Sequence, residues 1–152
     1  MTDQTSLDIV QRYAARWGIA LPHPTRIEIE RKWFRTFAHK LRFDSEHWEG
    51  FAYVERGYTE PSVFDFRPRV DGLLMPPLWA AYPTYSAVTV GWRMGGGEDY
   101  RYVSWEWYGT LSDAERAEYQ TIFPVPSDHR NWDLWFYDVD TIDDLDAAFA
   151  VD

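Results

Sequence analysis

The density of aromatic residues is the feature that most constrains this chain. Of its 152 residues, nine are Trp, ten are Tyr and nine are Phe, so aromatic side chains make up 18% of the sequence. Such side chains dominate burial in folded cores, and disordered segments are poor in them. The chain must therefore bury many rings in a dense core. Its length matches one domain, and we expect a single domain over residues 1–152.

The sequence contains no cysteine, which excludes disulfides, thiolate metal sites and thiol catalysis. The first residues, Met1–Ser6, lack the basic and then apolar run of a secretory signal. The uncharged stretch Gly72–Trp92 is interrupted by Pro76, Pro77 and Pro83, which break helices and disfavour a membrane span. We therefore expect a cytoplasmic protein.

Charge is distributed unevenly along the chain, whose net charge is −10. Residues 98–152 carry 14 acidic and 3 basic side chains, whereas residues 1–97 carry 11 acidic and 12 basic ones. A negatively charged surface repels nucleic acid and attracts basic proteins. The C-terminal part is therefore a candidate surface for a basic partner, or a solvated face that serves solubility alone.

Helix signals occur at both ends of the chain. Thr5 or Ser6 can cap a first helix that ends at Gly18, and Thr25 opens the capping-box spacing of a second helix, which we expect to run to about Leu41. A third helix is predicted from the capping box Ser112–Glu115 to just before Pro124, and a last one over Thr141–Phe149, after a strand at Trp132–Val139.

The strongest strand pattern lies in the middle of the chain. Tyr85–Met94 and Asp99–Tyr108 alternate around Gly95–Gly97 and predict a hairpin over about 85–108. Val63–Phe66 is predicted to be a strand, Pro76–Tyr82 a single helical turn, and Ser45–Gly57 either a short helix or an irregular strand. This order of elements favours an α+β fold with a central antiparallel sheet packed by N-terminal and C-terminal helices.

No residue pattern specifies catalysis. The glycines at 95–97 lack the Lys-Ser/Thr of a phosphate loop, and acidic residues follow them. Glu98 and Glu106 border an aromatic strand, yet in a strand they are too far apart to flank one glycosidic bond. Asp138–Asp143 begins like a calcium loop but places Ile142 at a ligand position. We expect no enzymatic activity, no metal and no cofactor.

Exposed aromatic and acidic side chains are the candidates for binding. Both faces of the predicted hairpin carry rings, so one face is expected to contact water or a partner. We place Trp105 and Trp107 on the core face. Trp, Tyr and Asp together are typical of binding hot spots against a basic protein. The candidate partner-binding residues are Glu98, Asp99, Tyr100, Tyr102, Glu106, Asp113, Glu115 and Glu118.

Three stretches carry a resemblance to a known class of proteins. Pro76–Pro83, Gly91–Gly95, and Leu111–Glu115 leading to Phe123–Pro124 resemble segments of bacterial immunity proteins of contact-dependent and other polymorphic toxin systems. The resemblance implies an inhibitor that binds a cognate toxin domain, often a basic nuclease, and blocks its active site or an adjacent surface. It implies a protein partner. The acidic C-terminal part disfavours nucleic acid as a partner, and the proline-interrupted stretch Gly72–Trp92 disfavours a membrane.

Two other functions stay open at this point. An acidic inhibitor or nucleic-acid mimic of a defence enzyme would use the same charged half of the chain. A carbohydrate- or small-ligand-binding domain would use the Trp and Tyr rings as platforms. Partner identification separates the first from a toxin inhibitor, and salt-independent glycan binding would favour the second.

Overall fold

The computed structural model describes residues 1–31, 37–85 and 90–126. It divides the chain into two compact units, the first formed by Met1–Pro76 and Ala80–Thr84, the second by Pro77–Trp79 and the chain from Tyr85 onward. The single domain expected over residues 1–152 stays a prediction. The elements are α1 (Asp3–Ala15), β1 (Arg26–Arg31), β2 (Phe37–Asp44), β3 (Trp48–Glu55), β4 (Val63–Pro68), α2 (Leu78–Ala81), a 3₁₀ turn (Val90–Trp92), α3 (Gly95–Gly109) and α4 (Asp113–Ile122).

The predicted first helix is confirmed as α1, but its cap lies earlier than expected. The hydroxyl of Thr2, rather than that of Thr5 or Ser6, accepts a hydrogen bond from the backbone N–H of Thr5 at 3.1 Å. The chain leaves the helical direction at Gly18, whose φ of 69° suits glycine. The buried residues of α1 recur at helical spacing: Ser6, Leu7, Ile9, Val10, Tyr13 and Ala14.

The four strands of the described residues form one antiparallel sheet in the order β1–β2–β3–β4. A row of apolar residues crosses the sheet, because Ile27 lies opposite Leu41, Leu41 opposite Ala52, and Ala52 opposite Phe64. This row belongs to the hydrophobic core that α1 helps to form. The α+β class, with an antiparallel sheet between N-terminal and C-terminal helices in sequence, is confirmed.

Aromatic rings fill the core of the first unit. The Phe64 ring lies 4.4 Å from that of Phe66 and 5.2 Å from that of Tyr13 on α1. Phe43 lies 4.9 Å from Phe66. These centroid separations fall in or near the range favoured for aromatic pairs, and the prediction of a dense aromatic core is confirmed for this unit.

The predicted helix from Thr25 to Leu41 is wrong, because β1 and β2 occupy its described part. Between Arg26 and Arg31, apolar and charged residues alternate singly, which is the period of a strand. The capping-box spacing is met by chance, since Glu28 pairs with Arg42 across the sheet at 3.1 Å instead of closing a helix turn. Residues 32–36 lie outside the described residues.

Three predictions for the middle of the chain are settled. Of the alternatives for Ser45–Gly57, the strand is right, because this segment contains β3. The strand at Val63–Phe66 is confirmed as part of β4, and the helical turn at Pro76–Tyr82 is confirmed as α2.

The hairpin predicted over about 85–108 is wrong, because Gly95–Gly109 forms the helix α3. The glycines at 95–97 lie in the first turn of this helix instead of closing a β-turn, and Gly95 enters it with a φ of 67° that suits glycine. Aromatic residues are common in strands and also on buried helix faces, so their density in this segment did not distinguish the two structures. The buried positions follow the helical period: Gly97, Tyr100, Arg101, Ser104 and Tyr108.

The helix predicted from Ser112 is confirmed as α4, and so is its capping box. The backbone N–H of Glu115 donates to the hydroxyl of Ser112 at 3.3 Å, and the backbone N–H of Ser112 donates to the carboxylate of Glu115 at 2.7 Å. The strand predicted at Trp132–Val139 and the helix at Thr141–Phe149 lie outside the described residues.

The helices in the described part of the chain are short. The longest is α3, with 15 residues, and none of them is long and apolar enough to cross a membrane.

Candidate functional site

The six acidic candidates all lie on α3 and α4, within the second unit. Glu98 is half-buried and the other five are exposed. Three of them stand in first helical turns, where carboxylates complement the helix dipole. We call this set the acidic surface: Glu98, Asp99, Glu106, Asp113, Glu115 and Glu118.

Aromatic packing fixes α4 against α3. The Tyr119 ring lies 5.3 Å from that of Trp107 and 5.6 Å from that of Tyr108. The side-chain amide of Gln120 donates to the Tyr108 hydroxyl at 2.8 Å. Because these contacts join the two helices, the acidic surface is carried on one packed scaffold.

The arginines of these two helices make contacts within the unit. Arg101 is buried, with its guanidinium 4.3 Å from the ring centroid of Tyr102. Arg116 donates to the carbonyl of Gly109 at 3.2 Å. Among the described residues, no salt bridge is formed by Glu106, Asp113 or Glu118.

Glu115 differs from the other members of the acidic surface. The hydrogen bond that its carboxylate accepts from the backbone N–H of Ser112 lowers its pKa from the usual value. The group is therefore ionised at neutral pH, but one of its two oxygen atoms already accepts the hydrogen bond that caps α4. Its role is primarily structural.

The aromatic candidates require a correction. Tyr100 is fully buried in α3 and cannot contact a partner as the unit stands. Tyr102 is half-buried beside Arg101 and stays a candidate. The common core face predicted for Trp105 and Trp107 is also wrong, because residues two apart on a helix lie about 200° apart around its axis.

A serine, a histidine and an aspartate meet at the start of α1. The Ser6 hydroxyl lies 2.8 Å from Nδ1 of the buried His39, and the Asp3 carboxylate lies 3.7 Å from the same nitrogen. A catalytic triad needs the serine and the carboxylate on opposite ring nitrogens. With both on Nδ1, this cluster cannot relay a proton from the serine, and it serves to attach α1 to β2.

A surface groove of about 320 Å³ lies between the start of α1 and the entry to β1. It combines the polar side chains of Asp3, His23 and Arg26 with the apolar side chain of Leu7. Arg26 is held by Glu28 at 2.8 Å. The groove can accept a small polar molecule, but its chemistry specifies neither a substrate nor a reaction.

Metal binding has no support in the part of the chain that the structure describes, where no group of three His, Asp or Glu side chains could hold an ion. The calcium-loop-like segment Asp138–Asp143 lies outside the described residues.

The sequence did not predict a buried polar cluster in the first unit. The Asp65 carboxylate accepts from Nε of Arg67 at 2.9 Å and from the hydroxyl of Tyr82 at 2.8 Å. Asp65 is almost fully buried, and these bonds satisfy its charge. No local signal could have found the cluster, because Tyr82 reaches Asp65 only in the folded unit.

The sequence also did not predict two exposed apolar residues beside α3, Val90 and Met94. Assigning Gly95 as the start of a helix would have placed Met94 at the N-cap, where polar residues are preferred. An apolar residue at a position that prefers polar ones was therefore the sequence signal that could have identified Met94.

Comparisons of the chain with known protein families, with curated proteins and with solved structures find no match. The fold and the site therefore define it as an α+β protein with an acidic helical surface.

Proposed function

We propose that this chain is a stoichiometric protein inhibitor, of the kind represented by bacterial immunity proteins, which binds and neutralises a basic toxin domain. The observation that carries the proposal is the acidic surface: carboxylates displayed on two packed helices whose arginines are turned to internal contacts. A partner of opposite charge is the ligand that such a surface recognises best.

Electrostatic attraction gives an inhibitor two advantages. It raises the association rate, so that the toxin is captured before it acts, and it disfavours partners of the wrong charge. If the toxin is a nuclease, the carboxylates compete for the same basic groups that hold the phosphates of its substrate. The ring contacts and the hydrogen bond that join α4 to α3 limit the entropy that is lost on binding.

An inhibitor of a defence enzyme would use this surface in the same way, and the identity of the partner distinguishes it. The carbohydrate-binding alternative receives less support, because a sugar platform needs exposed rings. In the described part of the second unit no ring is fully exposed: Trp92, Tyr100, Tyr108 and Tyr119 are buried, and Tyr102, Trp105 and Trp107 are half-buried.

The test starts from the gene directly upstream of this one, which the proposal expects to encode a toxin domain. Co-expression of the chain should restore the growth of cells that produce this domain, and the purified proteins should form a one-to-one complex. If a molar excess of the chain leaves the growth defect unchanged and no complex forms, the proposal is wrong.

A pair of charge-reversed variants tests the surface itself. Glu106→Lys with Glu118→Lys should slow association with the toxin domain by about tenfold at low salt, and the effect should shrink as salt is added. The matched control is Glu46→Lys with Asp71→Lys, which makes the same change of net charge at exposed positions of the first unit. The control should change the association rate by less than about twofold.

A further inference from the structure

We propose that Val90 and Met94 are the apolar anchors of the interface with the basic partner, and that they insert into an apolar socket on its surface. The proposal rests on the proposed function for the identity of the partner. It assigns the centre of the interface to the N-terminal end of α3 and leaves the carboxylates of the acidic surface as its charged rim.

Exposure is the first observation. Val90 is 62% exposed and Met94 is 60% exposed. They lie four residues apart, and the 3₁₀ turn between them closes with a hydrogen bond from the N–H of Arg93 to the carbonyl of Val90 at 2.9 Å. Single exposed apolar residues are ordinary on a protein surface, but two within one turn form a local apolar patch.

The position of Met94 is the second, independent observation. Met94 is the N-cap of the 15-residue helix α3, and it makes no side-chain capping bond. Ser, Thr, Asp and Asn are strongly preferred there because their oxygen atoms satisfy the free N–H groups of the first turn. A residue that weakens its own helix and exposes a flexible apolar side chain is expected where function requires it.

Close packing holds the patch in place. A Cβ atom added to Gly91 would overlap the ring of Tyr85, and one added to Gly97 would overlap the carbonyl oxygen of Gly91. Trp92 is buried, and its ring lies 5.2 Å from that of Tyr85. The turn therefore cannot move freely away from α3, and a pre-ordered anchor loses little entropy on binding.

Charge identifies the occupant. Glu98 and Asp99 follow Met94 in the first two turns of α3 and outnumber the single cation of the preceding turn, Arg93, so a partner that receives Met94 must accommodate net negative charge beside it. A basic protein with an apolar socket meets both conditions, as an apolar centre with a charged rim is the usual anatomy of an interface. A second copy of this chain, with its net charge of −10, and an anionic lipid surface would both be repelled.

The experiment begins with site-specific photo-crosslinking in the cells that naturally contain the chain. A benzophenone amino acid replaces Val90 or Met94, and the control position is Tyr58, which is 59% exposed in the first unit. Both test positions should capture the same positively charged protein, identified by mass spectrometry, and the control position should not capture it. A cross-linked copy of the chain, a lipid adduct, or no adduct at either test position would overturn the proposal.

Substitution of Met94 then separates binding from folding. Met94→Ser provides the missing cap and should raise the melting temperature of the chain by about 2–4 °C. It should also weaken binding to the purified, captured partner by at least about tenfold. Tyr58→Ser should change the dissociation constant by less than about twofold. If Met94→Ser binds as tightly as the wild type, Met94 is not an anchor.

The two proposals fail in different ways. A captured basic protein that binds through Val90 and Met94, but whose activity and toxicity are unchanged, would refute the inhibitor function and retain the anchors. A toxin that is inhibited by the chain but cross-links only to positions such as Glu106 or Glu118 would retain the function and refute the anchors.

Discussion

A Cβ atom on Gly97 would overlap the carbonyl oxygen of Gly91, because the 3₁₀ turn at Val90–Trp92 lies directly against the first turn of α3. The same atom would lie 2.9 Å from Cε2 of Tyr85. Gly97 therefore permits a backbone contact that no other residue type allows, and this contact fixes the turn from which Val90 and Met94 project.

Replacement of Gly97 tests this contact. Gly97→Ala should destabilise the chain by about 1–3 kcal/mol, because a neighbouring backbone must shift to admit the methyl group. The matched control is Gly109→Ala at the other end of α3, where a Cβ atom would meet nothing within 4 Å. The control should be neutral or stabilising by up to about 1 kcal/mol, since alanine favours helices. Urea denaturation measures both, and equal losses of stability would contradict the prediction.

Local signals account for what the sequence predicted correctly. The capping box at Ser112 and Glu115 operates within one helical turn, so its residues specify the start of α4 without help from the rest of the chain. The pattern at Thr25 and Glu28 was the same, but pairing with Arg42 across the sheet prevailed over it. Tertiary contacts decide between two structures when the local sequence is compatible with both.

The sequence predicted the exposed carboxylates of the candidate site correctly, but not the burial of its aromatic residues. Carboxylates are costly to bury, so the exposure of residues such as Glu106 and Glu118 follows from their chemistry. The burial of Tyr100 depends instead on the helical phase of α3, and a strand assignment could not provide it. The N-cap position of Met94 likewise depends on the helix α3, so a strand assignment could not predict it.

Tyr119 packs α4 against α3. Its side chain is 1% exposed and its ring lies 4.8 Å from that of Phe123 and 5.3 Å from that of Trp107. Tyr119→Ala should cost about 3–5 kcal/mol of stability, because it leaves a cavity among these rings. Tyr58→Ala, at an exposed position, should change stability by less than about 0.5 kcal/mol. Thermal denaturation of both variants checks this, and a Tyr119→Ala variant as stable as the control would refute the assigned packing.

Because of the capping box, the stability of the fold should depend on pH in the acid range. The hydrogen bond from the Ser112 backbone lowers the pKa of Glu115 below the usual value of 4.5, so the folded state binds this proton less readily than the unfolded state. The resulting stabilisation is present above pH 4.5 and is lost as the pH falls through the lowered pKa. Denaturation between pH 3 and pH 7 should therefore show a smaller acid-induced loss for Glu115→Ala than for the wild type, with Glu118→Ala as the control that retains the full loss. A wild-type slope in Glu115→Ala would contradict the assignment.

Because of Tyr13, the stability of the fold should fall as the pH rises in the alkaline range. Its hydroxyl donates to the carbonyl of Ala80 at 2.7 Å, and burial raises the pKa of Tyr13 above the usual value of 10.0. The unfolded phenol therefore releases its proton at a pH where the folded one retains it. The contribution of Tyr13 to stability is fully present below pH 10 and falls as the pH rises further, by up to about 1.4 kcal/mol per pH unit.

In Tyr13→Phe this alkaline loss should diminish. Stability at neutral pH should fall by about 1–3 kcal/mol, because the buried carbonyl of Ala80 loses its donor. Tyr58→Phe should retain the wild-type profile, and urea denaturation at pH 7, 9 and 11 distinguishes the variants. A Tyr13→Phe variant that loses as much stability as the wild type between pH 9 and pH 11 would show that this phenol does not govern the alkaline limit of the fold.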